Sequence, residues 1–350
     1  MNATGNETTV APETTLNAPR GGASTQSARS VWLVYAGGMA ALVLLVLALV
    51  GDPYWLNILI LSLLFAGLSS SWNIIGGFGG QLSLGHGVFF AIGAYTVAIT
   101  YDRYNWSPWL SMLLAIPIAM VVAGLTSWPT FRLRGPFFAM ATLALNQVAL
   151  VLASYFAAVT GGVQGITLPF RPSVRDLAFI DRWKYAAIML VFVALAVAVA
   201  TVVSRSRLGY ALRAVREDDE AAAAVGFNVF SVKMQGMLIS AGLTSIGGSL
   251  FAVFVRYIDP HSVLNLADVG VRIVLIALLG GIGTLLGPVV GALLFIPAIT
   301  LLQGQLADAP PGLNLVAVGL LLVLIPITLR RGLVGTTAGL FRSARGRWSK

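Results

Sequence analysis

Few side chains in this 350-residue sequence could perform catalysis. Its two histidines are His86, beside a glycine-rich stretch, and His261, in the segment DPHSV. No pair of His, Asp or Glu has the spacing of metal ligands, and the absence of cysteine excludes thiolate metal sites and a thiol nucleophile. Ser83 in GQLSLG resembles a nucleophile elbow, but Gln81 stands where the G-x-S-x-G pattern requires its first glycine. We therefore expect neither catalytic residues nor a metal site, and an enzyme is disfavoured.

The sequence also lacks a motif that could hold a nucleotide. The phosphate-binding pattern G-x-x-x-x-G-K-[ST] is absent. We expect no cofactor on this chain, so any energy from ATP has to come from a partner subunit that binds it.

One dense polar block, REDDEAAAAVG at residues 216–226, interrupts a chain in which only 10% of residues are charged. Just before it, Leu208, Leu212 and Val215 recur at helical spacing, which predicts a short amphipathic helix. Asp218 or Asp219 can cap a second helix, the four alanines favour its continuation, and a glycine can end it with positive φ.

The block therefore predicts two short helices joined by an acidic corner. A helix of small residues flanked by charges suits a groove in another protein. An ordinary solvated loop is the alternative, since charge runs commonly have that role.

The composition indicates what kind of protein contains this polar block. Apolar residues make up 57% of the chain, and charged residues are far below the roughly 25% of soluble domains. The net charge of +9 could indicate nucleic-acid binding, but the basic residues lie in short segments between apolar runs. A membrane protein places its cytoplasmic arginines in this way.

Hydrophobic stretches of membrane-spanning length predict an all-α, polytopic bundle of about ten transmembrane helices. Residues 1–30 are polar and predict a disordered tail. Residues 31–329 are predicted to form the membrane domain, with a long cytoplasmic loop at 204–230, and residues 330–350 a basic tail. The predicted spans are 31–50, 54–75, 87–100, 109–127, 137–160, 185–203, 232–255, 269–286, 288–302 and 313–329.

Arginine and lysine in short loops favour the cytoplasm. With both termini inside, the cytoplasmic segments include FRLRG, SRSRLGYALRAVR and the basic C-terminal tail, which agrees with this rule. The interval around Arg171, Arg175, Arg182 and Lys184 is the exception, because it falls outside.

The interiors of the predicted spans contain neutral polar residues and glycines, and almost none of the ionisable residues that line ion pathways. This pattern favours a path for a polar solute of no net charge, although Asn and Gln in membrane helices also bond neighbouring helices. The candidate path residues are Asn73, Gly77, Gly79, Gln81, Ser83, His86, Asn146 and Gln147. The glycine-rich segments at 76 and 280 echo each other, as an internal repeat or as two independent hinges.

Three sequence blocks resemble one family. EAAAAVG fits the E-A-A-x-x-x-G loop that permeases of ABC importers present to their ATPases, with Glu220, Ala221, Ala222 and Gly226 at the matching positions. GGFGGQLSLGHGVFFAIGAY and LLGGIGTLLGPVVGA resemble the other two signatures of the branched-chain amino-acid permease family. The chain length and the long interval 161–184 look more like its LivM-type subunit than its LivH-type partner. One departure is that no proline follows Gly226, unlike importers of the maltose type.

This resemblance implies a function and a set of partners. The chain would be a permease in a bacterial or archaeal plasma membrane, working with a second, LivH-like permease, two cytoplasmic ATPases and a periplasmic or lipid-tethered binding protein. The implied ATPase-docking residues are Arg213, Arg216, Glu217, Asp218, Asp219, Glu220, Ala221, Ala222 and Gly226. Branched-chain amino acids are the implied substrates, with urea, short amides or aromatic acids as alternatives and an ion-coupled secondary carrier as another class.

Overall fold

The computed structural model describes residues 25–306 together with 316, 319 and 320. By contacts within the chain, residues up to Ala40 form one unit and residues from Ala41 onward form another, and the description below concerns the second unit. Helix α1 runs Thr25–Leu49. The predicted tails at 1–30 and 330–350 lie outside the described residues, apart from the start of α1.

The described chain is built almost entirely of helices. After α1 come α2 (Pro53–Asn73) with a π-helical turn (Ile74–Phe78), α3 (His86–Tyr104), α4 (Pro108–Thr130), α5 (Pro136–Tyr155), α6 (Ala157–Thr160), a 3₁₀ turn (Gly162–Gln164), β1 (Ile166–Thr167), α7 (Arg182–Arg205), α8 (Arg207–Glu217), α9 (Asp219–Ala224), α10 (Val229–Val255), β2 (Tyr257–Ile258), α11 (Pro260–Leu264), a second π turn (Leu266–Val271), α12 (Arg272–Gly280) and α13 (Gly287–Gln305).

Seven helices within this described part are long and apolar enough to cross a membrane. They are Pro53–Phe78, Pro108–Thr130, Pro136–Tyr155, Arg182–Arg205, Val229–Val255, Pro260–Gly280 and Gly287–Gln305. The prediction of a helical, multi-pass membrane protein is confirmed, and the count of ten was approximate. The predicted span 269–286 starts earlier than expected, at Pro260, and the predicted span 313–329 lies almost wholly outside the described residues.

Proline and short polar caps start most of the long helices. Asp52 Oδ1 accepts hydrogen bonds from the backbone N–H groups of Tyr54 and Trp55 at 2.9 and 3.3 Å, and Pro53 occupies the first turn of α2. Proline also lies in the first turn of α4, α5, α11 and α13, where its missing N–H removes no helical bond. Helix α3 differs, because it begins at a fully buried His86 behind Gly85, without a side-chain cap.

The core lies around α2, whose membrane-spanning window is 94% buried within the chain. Helix α2 packs against α7 and α13, and α10 packs against α3 and α4. Glycine permits the closest of these contacts. A β-carbon at Gly93 of α3 would overlap the carbonyl oxygen of Ser245 on α10, and one at Gly248 would overlap that of Phe90. Such close backbone approach is how membrane helices gain packing energy without a hydrophobic drive between them.

At the end of the bundle opposite α8 and α9, residues 161–184 form an irregular segment. Strand β1 pairs antiparallel with β2, placing Ile166 opposite Ile258. Arg256 donates hydrogen bonds to the carbonyl oxygens of Pro169 and Leu177 at 3.1 and 3.2 Å. These bonds connect the segment to the end of α10.

Candidate functional site

The polar loop, defined here as residues 207–226, forms the two short helices that the sequence predicts. Helix α8 buries Leu212 and Val215 against the bundle, with Leu208 partly buried beside them. Ser206 caps its first turn by accepting a hydrogen bond from Gly209 N–H at 3.3 Å. On the same helix, Arg213 donates to the carbonyl oxygens of Gly209 and Ser204. The amphipathic helix is therefore confirmed.

Helix α9 begins and ends as its sequence predicts. Asp218 Oδ1 accepts hydrogen bonds from the N–H groups of Glu220 and Ala221 at 2.8 and 3.1 Å. The Ala221 and Glu220 backbone N–H groups lower the pKa of the Asp218 carboxyl, because they stabilise its charged form. Gly226 has φ of 101°, and Phe227 N–H reaches Ala222 O at 3.1 Å while Gly226 N–H reaches Ala223 O at 3.0 Å. This pattern is a Schellman ending.

Two acids of the corner bind other elements. Asp219 accepts a hydrogen bond from Lys233 Nζ at 2.6 Å, and the Lys233 side chain on α10 is only 6% exposed. Glu220 pairs with Arg134 at 2.7 Å in the connection between α4 and α5, and this bond raises the pKa of Arg134. The exposed Glu220 pair contributes little energy, whereas Lys233 needs Asp219 because its charge lies out of water.

The end of α9 leaves small and apolar side chains in the open. Of the four alanines, Ala222 is buried while Ala221, Ala223 and Ala224 are exposed. We call residues 223–227 the apolar tip. Within it Val225 is 81% exposed and Phe227 40%. An exposed apolar patch with a charged border is typical of a protein-binding surface.

The two glycine-rich segments lie against each other. Asn73, at the end of α2, donates from Nδ2 to Thr284 O at 2.8 Å and accepts from Gly283 N–H at Oδ1, at 2.9 Å. A β-carbon at Gly77 would overlap Asn73 Oδ1, and one at Gly79 would lie 2.8 Å from Ile75 O. The two glycine-rich segments, which are similar in sequence, are therefore held together by Asn73.

His86 lies inside a chain of hydroxyl groups. Its Nε2 is 2.8 Å from Ser240 Oγ and its Nδ1 is 3.1 Å from Ser83 Oγ. Ser240 donates its hydrogen to Ser71 O at 2.8 Å, so its oxygen must accept from His86. The ring therefore carries a hydrogen on Nε2, and Ser83 Oγ lies within hydrogen-bond distance of Nδ1. The ring links α3 to α10 and, through Ser240, to α2.

Of the other predicted path residues, Asn146 lies beside this chain of hydroxyls, since a β-carbon at Gly87 would overlap the Oδ1 of Asn146. Asn146 is fully buried and donates from Nδ2 to Leu264 O at 2.8 Å, while its Oδ1 has no hydrogen-bond partner among the described residues. Gln147, on the next position of α5, faces outward and is exposed. Gln81 is half-buried and lies with the polar loop around a surface cavity. The path role of all eight residues stays a prediction.

A cavity of about 290 Å³ lies between α3, α4 and α5. Its polar lining includes Ser83, Thr126, Ser127, Thr130 and Thr142, and the rest of the wall is mostly apolar. The hydroxyl groups of Thr126, Thr130 and Thr142 bond to carbonyl oxygens of their own helices. The wall is therefore almost wholly apolar and suits an apolar group.

Sequence reasoning missed several charged partners. The notable ones are Lys233, Arg134 as a pair for Glu220, and the ion pair between Arg272 Nη2 and Asp268 Oδ1 at 2.6 Å. Asp268 and Arg272 are four residues apart, and this spacing was the available signal for their pairing. Lys233 gave no such signal, because its partner lies 14 residues away across a turn.

Comparisons with known proteins agree on one family. The family described as "Branched-chain amino acid transport system / permease component" matches residues 54–326. The permease protein LivM of the high-affinity branched-chain amino acid system of Escherichia coli is 29% identical over 71% of this chain and 63% of its own length. LivH of Salmonella typhimurium is 23% identical over 77% of this chain and 91% of its own. A nucleoside permease protein, NupC of Lactococcus lactis, is 26% identical over 69% of this chain and 80% of its own. No solved structure matches.

Proposed function

The chain belongs to the family of permease components of branched-chain amino acid transport systems, and we propose that it is a permease subunit of an ATP-driven importer of branched-chain or related amino acids. In this proposal the chain itself binds no nucleotide. Two cytoplasmic ATPases, a second LivH-like permease and a periplasmic or lipid-tethered binding protein complete the importer. The matched region covers 63% of the length of the LivM relatives.

One observation carries the proposal: the polar loop presents an apolar tip on a firmly held base. Leu212 and Val215 anchor α8, and the bond between Lys233 and Asp219 anchors the start of α9. The tip itself points away from the bundle. A short helix of this shape suits an apolar groove on an ATPase subunit, and a rigid base lets a movement of that subunit reach the membrane helices.

The orientation follows from this role. A loop that docks a cytoplasmic ATPase lies on the cytoplasmic side, and the N- and C-termini then lie there too. The exceptional basic segment at 171–184 lies on the other side in this arrangement. Part of its charge is neutralised locally, since Lys184 pairs with Asp181 at 2.8 Å.

The outward face of α5 supports a passage at the boundary with the second permease. Met140, Val148 and Val151 are exposed on this face, and Gln147 lies among them near the middle of the span. An amide facing lipid would forfeit its hydrogen bonds at a cost of about 2 kcal/mol or more. By contrast, the exposed face of α4 carries large apolar residues such as Leu113 and Leu125. We therefore place the solute passage along α5.

Gln147→Leu tests this placement, with Val121→Leu on the exposed apolar face of α4 as a control. The Gln147 change should lower uptake several-fold while the ATPases still bind, because it removes a polar group from the passage. Uptake measured in proteoliposomes of the complete importer decides the matter. Equal uptake by both variants would exclude Gln147 from the passage.

The substrate has a second candidate, a nucleoside, favoured by the similarity to the nucleoside permease NupC. A nucleoside is also neutral overall and has polar and apolar parts. Calorimetry on the binding protein of this importer, with leucine and with uridine, distinguishes the two. Heat from leucine alone supports the amino-acid assignment, and heat from uridine alone overturns it.

The central experiment is reconstitution of the purified subunits in liposomes. We expect solute uptake that requires ATP, both ATPases and the loaded binding protein. Uptake by this chain alone, driven by an ion gradient, would show a secondary carrier instead.

A further inference from the structure

Arg216, in the last turn of α8, reaches out of the polar loop to both glycine-rich segments. Its Nη1 donates a hydrogen bond to Gly77 O at 2.6 Å. A β-carbon at Gly80 would lie 2.8 Å from Arg216 Cγ, and one at Gly283 would lie 3.0 Å from Arg216 Nη1. Gly80 and Gly283 have φ of 67° and 76°, values that side-chain-bearing residues rarely adopt. Gly80 therefore keeps space open for the aliphatic stem of Arg216, and Gly283 for its guanidinium.

The same two segments are joined by Asn73. Through Asn73, the end of α2 holds the backbone of Gly283 and Thr284, which lie in the connection from α12 to α13. Arg216 thus contacts a point where three parts of the chain meet: the polar loop, the end of α2 and the α12–α13 connection.

The remaining anchors of the polar loop lead elsewhere. Asp219 binds Lys233 on α10, and Glu220 binds Arg134 between α4 and α5. The Arg216 bond leads to α2, the span most buried within the chain. It is charge-assisted, and its acceptor is a carbonyl in the π turn that ends this helix, where the helix dipole is negative. Both features strengthen the bond.

We propose that Arg216 is the positioning residue that transmits movement of the polar loop to α2 and to the α12–α13 connection. This inference rests on the proposed docking of an ATPase to the loop. A displacement of α8 would move Gly77 through its bond to the guanidinium of Arg216. Asn73 would transmit this movement to Gly283. Solute transport would then follow ATP hydrolysis because these helices move together.

The test uses the complete importer in liposomes and measures solute molecules carried per ATP hydrolysed. The ratio is measured on importers that have assembled, and Arg216→Gln should lower it about tenfold, a typical size for coupling between sites. Arg207→Gln is the matched control, because Arg207 begins the same helix, is exposed and is not one of the implied docking residues. It should keep the ratio within about twofold of the unmodified protein.

Arg216→Lys keeps a donor for Gly77 but lacks the planar fork, so its ratio should fall between those of the unmodified protein and Arg216→Gln. If the Gln variant does not assemble, the Lys variant decides: a lowered ratio with intact assembly supports the inference, and an unchanged ratio overturns it. An unchanged ratio in Arg216→Gln also overturns it. If the unmodified chain binds no ATPase at all, the proposed docking itself is wrong, which is a distinct outcome.

Discussion

The polar loop at 207–226 and the irregular segment at 161–184 are both rich in charged residues but differ in how the bundle holds them. Both lie between membrane helices. The polar loop is helical, and its side chains bind α2, α10 and the α4–α5 connection. The irregular segment is held mainly through its backbone, which pairs with β2 and accepts hydrogen bonds from side chains at the ends of α3, α4 and α10.

The two regions therefore suit different roles. The polar loop consists of two helices, which can move as rigid elements and pass a force to the helices that they bond. The irregular segment also contacts several helix ends, but it has only a 3₁₀ turn and a two-residue strand before α7 begins, so it is not such an element. Charge content alone does not distinguish the two regions, whereas their secondary structure does.

The largest expected effect comes from the apolar tip. Val225→Arg places a charge on the proposed docking surface, so co-purification of the ATPases and ATP-driven uptake should each fall by about tenfold or more. Val174→Arg is the matched control in the irregular segment, since Val174 is 71% exposed, and ATPase binding should be unchanged. Equal ATPase binding by the two variants would contradict the assigned roles. Ala222→Arg is a poor test, because Ala222 is buried within the loop itself.

The next effect concerns the ion pairs. Lys233→Met leaves Asp219 without its partner and should destabilise the polar loop by about 2 kcal/mol, less than for a fully buried pair because Asp219 is 29% exposed. Lys184→Met breaks the exposed pair with Asp181 and should cost no more than about 0.5 kcal/mol. Thermal unfolding in detergent, with proteolysis of the loop, measures both. The comparison fails if Lys184→Met has the larger effect.

Arg256 tests the irregular segment from its own side. Arg256→Met removes the bonds to the carbonyl oxygens of Pro169 and Leu177 and should reduce local stability by about 1.5 kcal/mol. Cleavage by protease between residues 161 and 181 should become faster, while ATPase binding stays unchanged. A loss of ATPase binding would show that the two ends of the bundle are not independent.

The smallest effect is a dependence on pH at the start of α9. The folded-state pKa of Asp218 is lowered, so its capping contribution is present above the ordinary range of a carboxyl, about pH 4, and is lost as the pH falls through the lowered pKa. The protection of the Ala221 amide, which is its exchange rate relative to the intrinsic rate at the same pH, should therefore fall in acid. Asp218→Asn retains an acceptor that does not titrate, so its protection should lack this acid-induced fall. The same fall in both proteins would rule out the cap as its cause.

The sequence predicted most of the polar loop because its structure is local. The cap from Asp218, the alanine helix and the glycine ending each depend on atoms within about one helical turn. The bonds of Asp219, Glu220 and Arg216 could not be predicted, because their partners lie between 14 and 139 residues away. The same limit applies to Asn146 and Gln147. The sequence predicts both as path residues, yet Asn146 is buried against Leu264 and Gln147 faces outward.

By itself, the sequence determined that this protein is a bundle of membrane helices with two short helices in one polar loop. Hydrophobic length, helix propensity and capping act over neighbouring residues, so they can be read along the chain. The tertiary structure alone decided that Asn73 meets Gly283, that His86 bonds to Ser83 and Ser240, and that Arg216 reaches the glycine segments. Those contacts depend on how whole helices pack, which is fixed by the fit of many distant side chains at once.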